Sequence, residues 1–98
     1  MPQTVTQLYV HLIFSTRKRR RLLDDNIRDR VHGYLATLVR HLDSPYVVVG
    51  GVADHVHILF EMGKLRAPAD MVEHIKRASS KFVKTLGAQY QSFYWQRG

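Results

Sequence analysis

At 98 residues and without a cysteine, the chain has room for one core and cannot build a disulfide framework or a Cys-ligated zinc site. Lys and Arg outnumber Asp and Glu by 15 to 8, a net charge of +7, which favours polyanionic partners. No apolar run approaches the ~20 residues of a membrane span, and the first residues do not resemble a signal peptide. A single domain over residues 1–98, cytoplasmic and without a membrane partner, is therefore expected.

From Thr4 to Ser15 the sequence alternates, with Leu8, Val10, Leu12 and Phe14 on one side and Tyr9, His11 and Ile13 on the other. This period of two predicts a strand. Arg17-Lys18-Arg19-Arg20-Arg21 follows as a loop or strand extension. Asp24 or Asp25 is placed to cap a helix whose stripe is Ile27, Val31, Leu35, Leu38 and Leu42, ended near Pro45. Tyr46 to Val49 predicts a second strand, closed by Gly50-Gly51. A third runs from His55 to Met62, with Val56, Ile58, Phe60 and Met62 sharing one face and His55, His57, Leu59 and Glu61 the other.

Gly63 to Pro68 reads as a loop. Asp70 can cap a second helix that buries Met71 or Val72, Ile75, Phe82 and Leu86 and stops at Gly87. Phe93-Tyr94-Trp95-Gln96 opens a fourth strand, cut short by the chain end. The order is βαββαβ, an α+β, ferredoxin-like arrangement. It predicts an antiparallel sheet with two helices on one face, the fourth strand truncated and the other face open.

Chemistry-bearing residues collect on that open face. His55 and His57, two apart on a strand, project to the same side and can converge on one divalent ion able to polarise a phosphoryl oxygen. Asp54 can orient an imidazole from outside. With strands one and three as neighbours, His11 joins the pair as possible support. A His-x-His alternation by itself fits two polar residues on a wet sheet face equally well. The cations Arg17, Lys18, Arg19, Arg20 and Arg21, with Lys76, Arg77 and Lys81 on the second helix, are the candidate nucleic-acid contacts. Tyr90, Tyr94 and Trp95 could stack on bases, although core packing is the better expectation for Trp95. Ser79-Ser80 lacks a neighbouring base and reads as helix surface. A two-histidine phosphoesterase would need two separated His-x-Thr/Ser motifs, which the sequence does not supply.

Leu8-Tyr9-Val10-His11-Leu12-Ile13-Phe14-Ser15-Thr16-Arg17 resembles the first strand of the small single-tyrosine HUH transposases, the insertion-sequence enzymes and their REP-associated relatives. Gly50-Gly51-Val52-Ala53-Asp54-His55-Val56-His57-Ile58-Leu59-Phe60 resembles their HUH segment, where U is a bulky apolar residue. Ala78-Ser79-Ser80-Lys81 and Phe93-Tyr94-Trp95-Gln96-Arg97-Gly98 resemble later landmarks, so the likeness spans essentially the whole chain. It implies a homodimer that binds hairpin-bearing single-stranded DNA, with His55 and His57 holding Mg²⁺ or Mn²⁺ at the scissile phosphate. It also implies attack by a tyrosine, giving a 5′-phosphotyrosine link and a free 3′-OH, and strand transfer by the reverse step. In the family a helix carrying that tyrosine and a further metal ligand follows the Trp-Gln-x-Gly landmark. This sequence ends at Gly98, so a shortened member with impaired cleavage is expected. The alternative is a non-catalytic basic module that binds nucleic acid or partners an intact transposase.

Overall fold

The structure is a computed structural model that describes residues 8–42, 44, 46–62 and 67–96. Alternation in the first apolar stretch gives β1 (Tyr9–Ser15). The expected start at Thr4 lies outside the described residues. Helix α1 (Arg28–His41) follows, then β2 (Val47–Val52), β3 (His55–Glu61) and helix α2 (Pro68–Lys84). Single 3₁₀ turns occupy Arg17–Arg19 and Ala88–Tyr90.

The strands form an antiparallel sheet in the order β1-β3-β2, so β3 is central. Its register sets Ser15 opposite His55, Ile13 opposite His57 and Phe14 opposite Val56. Val56, Ile58 and Phe60 are fully buried with Phe14, while the intervening residues of β3 are half-buried on the other face. Each such buried apolar side chain contributes about 1.5–3 kcal/mol. Val31, Leu35 and Val39 of α1 and Met71, Ile75 and Val83 of α2 close the same core. Both helices therefore lie on one face of the sheet. The opposite face exposes Tyr9, Ile13, Tyr46, Val48 and Val52 around the histidines.

Several boundaries differ from the expectations for local physical reasons. Pro68 begins α2, because proline's fixed φ suits the first helical position and its missing N–H is not needed there. Asp70 thus falls inside the first turn, where its negative charge complements the positive end of the helix dipole, and is not the cap. Asp24 likewise does not cap α1. Its carboxylate accepts from the Asn26 N–H and from the Tyr90 hydroxyl, organising the turn before the helix. Helix α2 ends at Lys84, before Gly87, with the Thr85 hydroxyl donating to the Phe82 carbonyl. Gly50 and Gly51 are ladder members of β2 paired with His57 and Val56, and the hairpin turns instead at Ala53-Asp54. The expected terminator Pro45 and most of the 63–68 loop lie outside the described residues.

The last segment pairs only briefly. Trp95 bridges Thr16, the Arg17 N–H donates to the Tyr94 carbonyl at 2.9 Å, and the Gln96 N–H donates to the Ser15 carbonyl at 2.7 Å. Among the described residues the fourth strand is this single bridge. Trp95 is buried between Phe14 and Phe93, and its indole N–H donates to the Ser79 hydroxyl at 2.9 Å. Ser79 is therefore an interior residue, against the expectation of helix surface. A buried indole N–H requires an acceptor, and the tryptophan seated on α2 makes the serine that acceptor.

Candidate functional site

Strand β3 and its neighbour β1 bring three imidazoles to one place. His55 and His57 leave the open face of β3, and His11 reaches them from β1, where it pairs with Leu59, two residues along from His57. His57 Nδ1 lies 3.2 Å from His11 Nε2, with the two rings stacked at 5.3 Å. His55 stands edge-on to His57 with ring centroids 4.9 Å apart. Its Nδ1 is 2.8 Å from Asp54 Oδ1. An ionised carboxylate can only accept, so His55 Nδ1 carries the proton and, in the neutral ring, Nε2 presents a lone pair. The hydrogen bond from His55, together with the Arg19 guanidinium at 3.4 Å, outweighs partial burial and holds the Asp54 carboxyl below its ordinary pKa.

Arg19 links this cluster to the basic run, which is a built turn. Lys18 and Arg19 both take positive φ, 58° and 56°. The left-handed conformation costs an L-residue with a side chain about 1–2 kcal/mol, so surrounding bonds must impose it twice over. The fully buried Thr16 supplies several of these, its hydroxyl donating to the Arg20 carbonyl at 2.6 Å and its N–H to the Asp54 carbonyl at 2.9 Å. Gln96 supplies another, its side-chain oxygen accepting from the Lys18 N–H at 3.0 Å. Lys76 steadies Gln96 by donating to its carbonyl at 3.1 Å.

Among the cations expected to bind nucleic acid, Arg17, Lys18 and Arg20 line a cleft of ≈ 300 Å³ with Tyr94. Lys76 and Arg77 line another beside Tyr94, Trp95 and Gln96. Arg19 is turned to Asp54. Arg21 and Lys81 are exposed and line none of these clefts. The aromatic candidates divide sharply. Tyr90 is buried and donates to the Asp24 carboxylate, which raises its pKa above the ordinary value. Trp95 is core, and Tyr94 alone stays exposed. Thr16 and Gln96, which hold the turn, were not singled out as site residues. Neither carries a pattern marking it as a brace, since the strain they support falls on Lys18 and Arg19.

A family model described as "Transposase IS200 like" matches residues 4–98. The chain belongs to the IS200-like transposase family. Membership gives it a role in transposition. The fold of a crystal structure from Deinococcus radiodurans R1, assigned as a transposase, superposes with a TM-score of 0.85 at 21% identity. The match covers 100% of this chain and 79% of that one. At that identity the likeness establishes the shared fold, and it agrees with the α+β, ferredoxin-like reading. No curated protein matches the sequence. No described helix of this IS200-like chain is long and apolar enough to cross a membrane.

The donor set decides how the transposase site could hold an ion. Among the described residues no three His, Cys, Asp or Glu side chains are arranged around one ion position. His55 and His57 share one face with Asp54 and His11 beside them, a donor pair that could hold an ion only if its other positions went to water or phosphate oxygens.

Proposed function

We propose that this IS200-like protein binds hairpin-bearing single-stranded DNA as a homodimer in the cytoplasm. In this reading it holds Mn²⁺ or Mg²⁺ through His55 and His57 against a phosphodiester that the family cuts and transfers by tyrosine chemistry, with cleavage impaired in this chain. The observation that carries the reading is the pair of Nδ1 supports. Asp54 fixes His55 through Nδ1, and His11 Nε2 stands 3.2 Å from His57 Nδ1; with His57 as the donor in that contact, both histidines would keep Nε2 free to take an ion. A bound divalent ion would supply Lewis-acid polarisation of the phosphoryl oxygen. The chain's own groups do the rest. The His55 hydrogen bond and then Arg19 favour the Asp54 carboxylate, Asp54 and His11 orient the ligands, and the basic turn beside them draws in the phosphate backbone.

A second reading, a basic module that binds nucleic acid without cutting it or works beside an intact transposase, is favoured by the tyrosines. Tyr90 is buried on Asp24 and Tyr94 sits under Lys84, and neither is hydrogen-bonded to the imidazoles.

The first reading requires a preference for unpaired DNA, which competition binding tests. A labelled hairpin oligonucleotide with single-stranded flanks, in Mn²⁺, should be displaced by unlabelled copies of itself at least about tenfold more readily than by a blunt duplex of equal length. A tenfold preference is about 1.4 kcal/mol. Equal displacement would mean that charge alone drives binding and would remove single-strand recognition from the account. A covalent protein–DNA adduct in the same tubes would favour the cutting reading over the binding module.

A further inference from the structure

Tyr94 is the one aromatic side chain of the closing segment that the core does not use. It is 51% exposed between two buried neighbours, Phe93 and Trp95. The Lys84 ammonium sits over its ring at 3.9 Å. That ammonium is itself fixed, donating to the Ser80 hydroxyl at 2.7 Å and to the Phe93 carbonyl at 2.6 Å. One ring face thus has a rigid cationic backing, and the exposed remainder borders the clefts of ≈ 300 and ≈ 670 Å³. Both are also lined by Arg17 and Lys18, and no carboxylate lines either.

We infer that Tyr94, Arg17, Lys18 and Arg20 form a binding site for one unpaired nucleotide of a DNA strand, the base stacked on the tyrosine and its phosphate held by the basic turn. The inference rests on the single-stranded-DNA reading above and assigns it a location. Three features separate this site from a solvated charge run. The cations stand on a turn forced into consecutive left-handed residues and braced by Thr16 and Gln96, so their backbone is set before any ligand arrives. The aromatic ring is tied to the same turn, because the Tyr94 carbonyl accepts from the Arg17 N–H. The clefts also pair an aromatic surface with uncompensated positive charge, the combination that a nucleotide satisfies and a simple anion does not. A base inside a duplex has its faces covered by its neighbours, so the ring selects an unstacked one. Arg19, on the same turn, points to Asp54 beside His55. A strand seated on Tyr94 would thereby lie one turn of backbone from the imidazole cluster.

The test is fluorescence anisotropy of labelled dT20 with the full chain across a salt series. Stacking on a single aromatic side chain predicts that Tyr94→Ala weakens binding roughly 5- to 100-fold with the salt slope unchanged. Tyr94→Phe should bind as the parent does, and Tyr94→Leu should resemble the alanine variant, which separates ring stacking from loss of bulk or of folding. Lys18→Ala should reduce the slope by about one ion. Unchanged dT20 affinity in Tyr94→Ala would overturn the nucleotide site while leaving single-strand binding intact. Failure of the parent chain to bind dT20 even at low salt would overturn the single-strand reading and this site with it. Tighter binding of U20 than dT20, lost equally in Tyr94→Ala, would reassign the site to RNA.

Discussion

Gly51→Ala is expected to melt far below the parent protein, by roughly 12–24 °C, whereas Gly50→Ala, one residue away, should stay within about 1 kcal/mol. The two glycines look equivalent in the sequence and are not equivalent in the fold. A Cβ on Gly50 would meet open space. A Cβ on Gly51 would strike the His55 carbonyl oxygen and stand 2.8 Å from Val56 Cα, and the residue holds φ at +151°, which side-chain-bearing residues avoid. Both collision partners are backbone atoms of β3, so no rotamer change relieves them. Strain and displacement together cost on the order of 3 kcal/mol, and a domain of this size loses about 4–8 °C per kcal/mol. The strand that must move begins with His55, so imidazole placement should suffer with stability. A thermal melt of the two variants checks this. A Gly51→Ala protein melting like Gly50→Ala would mean that the hairpin is not packed as described.

Trp95→Ala should cost about 3–5 kcal/mol, the range for removing a large buried aromatic side chain, measured by denaturant unfolding. Its ring fills the space between Phe14 and Phe93 and its N–H is satisfied by Ser79. The effect should also reach beyond stability. Trp95 anchors the segment whose Tyr94 carbonyl and Gln96 side chain hold the Arg17 and Lys18 amides. Those two amides should exchange with solvent faster in the variant than the core amides of β3 do. A loss under about 1 kcal/mol, with both amides still protected, would show that the closing segment does not brace the turn.

Legibility in the sequence followed the range of the forces involved. The alternation of β3 could be read because one face meets a continuous core, so each residue's side is fixed by its own polarity and position. That gave His55 and His57 a shared direction, and the β1-β3 adjacency brought in His11. Helix starts were less legible. Asp24 and Asp70 have capping chemistry, yet Pro68 moved one helix boundary and Tyr90 drew Asp24 into a different bond. Least legible was the basic run. Left-handed backbone is usually signalled by Gly or Asn, whereas here Lys18 and Arg19 adopt it because Thr16 and Gln96, 80 positions apart in numbering, close on them from both sides. The separate fates of Tyr90, Tyr94 and Trp95 depend on the same closure, which no local pattern encodes.

In the proposed function His55 and His57, oriented by Asp54 and His11, hold one divalent ion. Mn²⁺ titration of the melting temperature tests it without requiring turnover. Ligand binding to the native state alone adds about 2.7 kcal/mol when free metal reaches 100 times its dissociation constant, which for this size is a rise of roughly 10–20 °C. The parent chain should show a rise that grows with the logarithm of free metal above its dissociation constant, larger with Mn²⁺ than with the more oxygen-seeking Mg²⁺. His57→Ala and His55→Ala should abolish it, and His11→Ala should move it to higher metal concentration. No Mn²⁺-dependent rise in the parent, or the same rise in His57→Ala, would contradict the account.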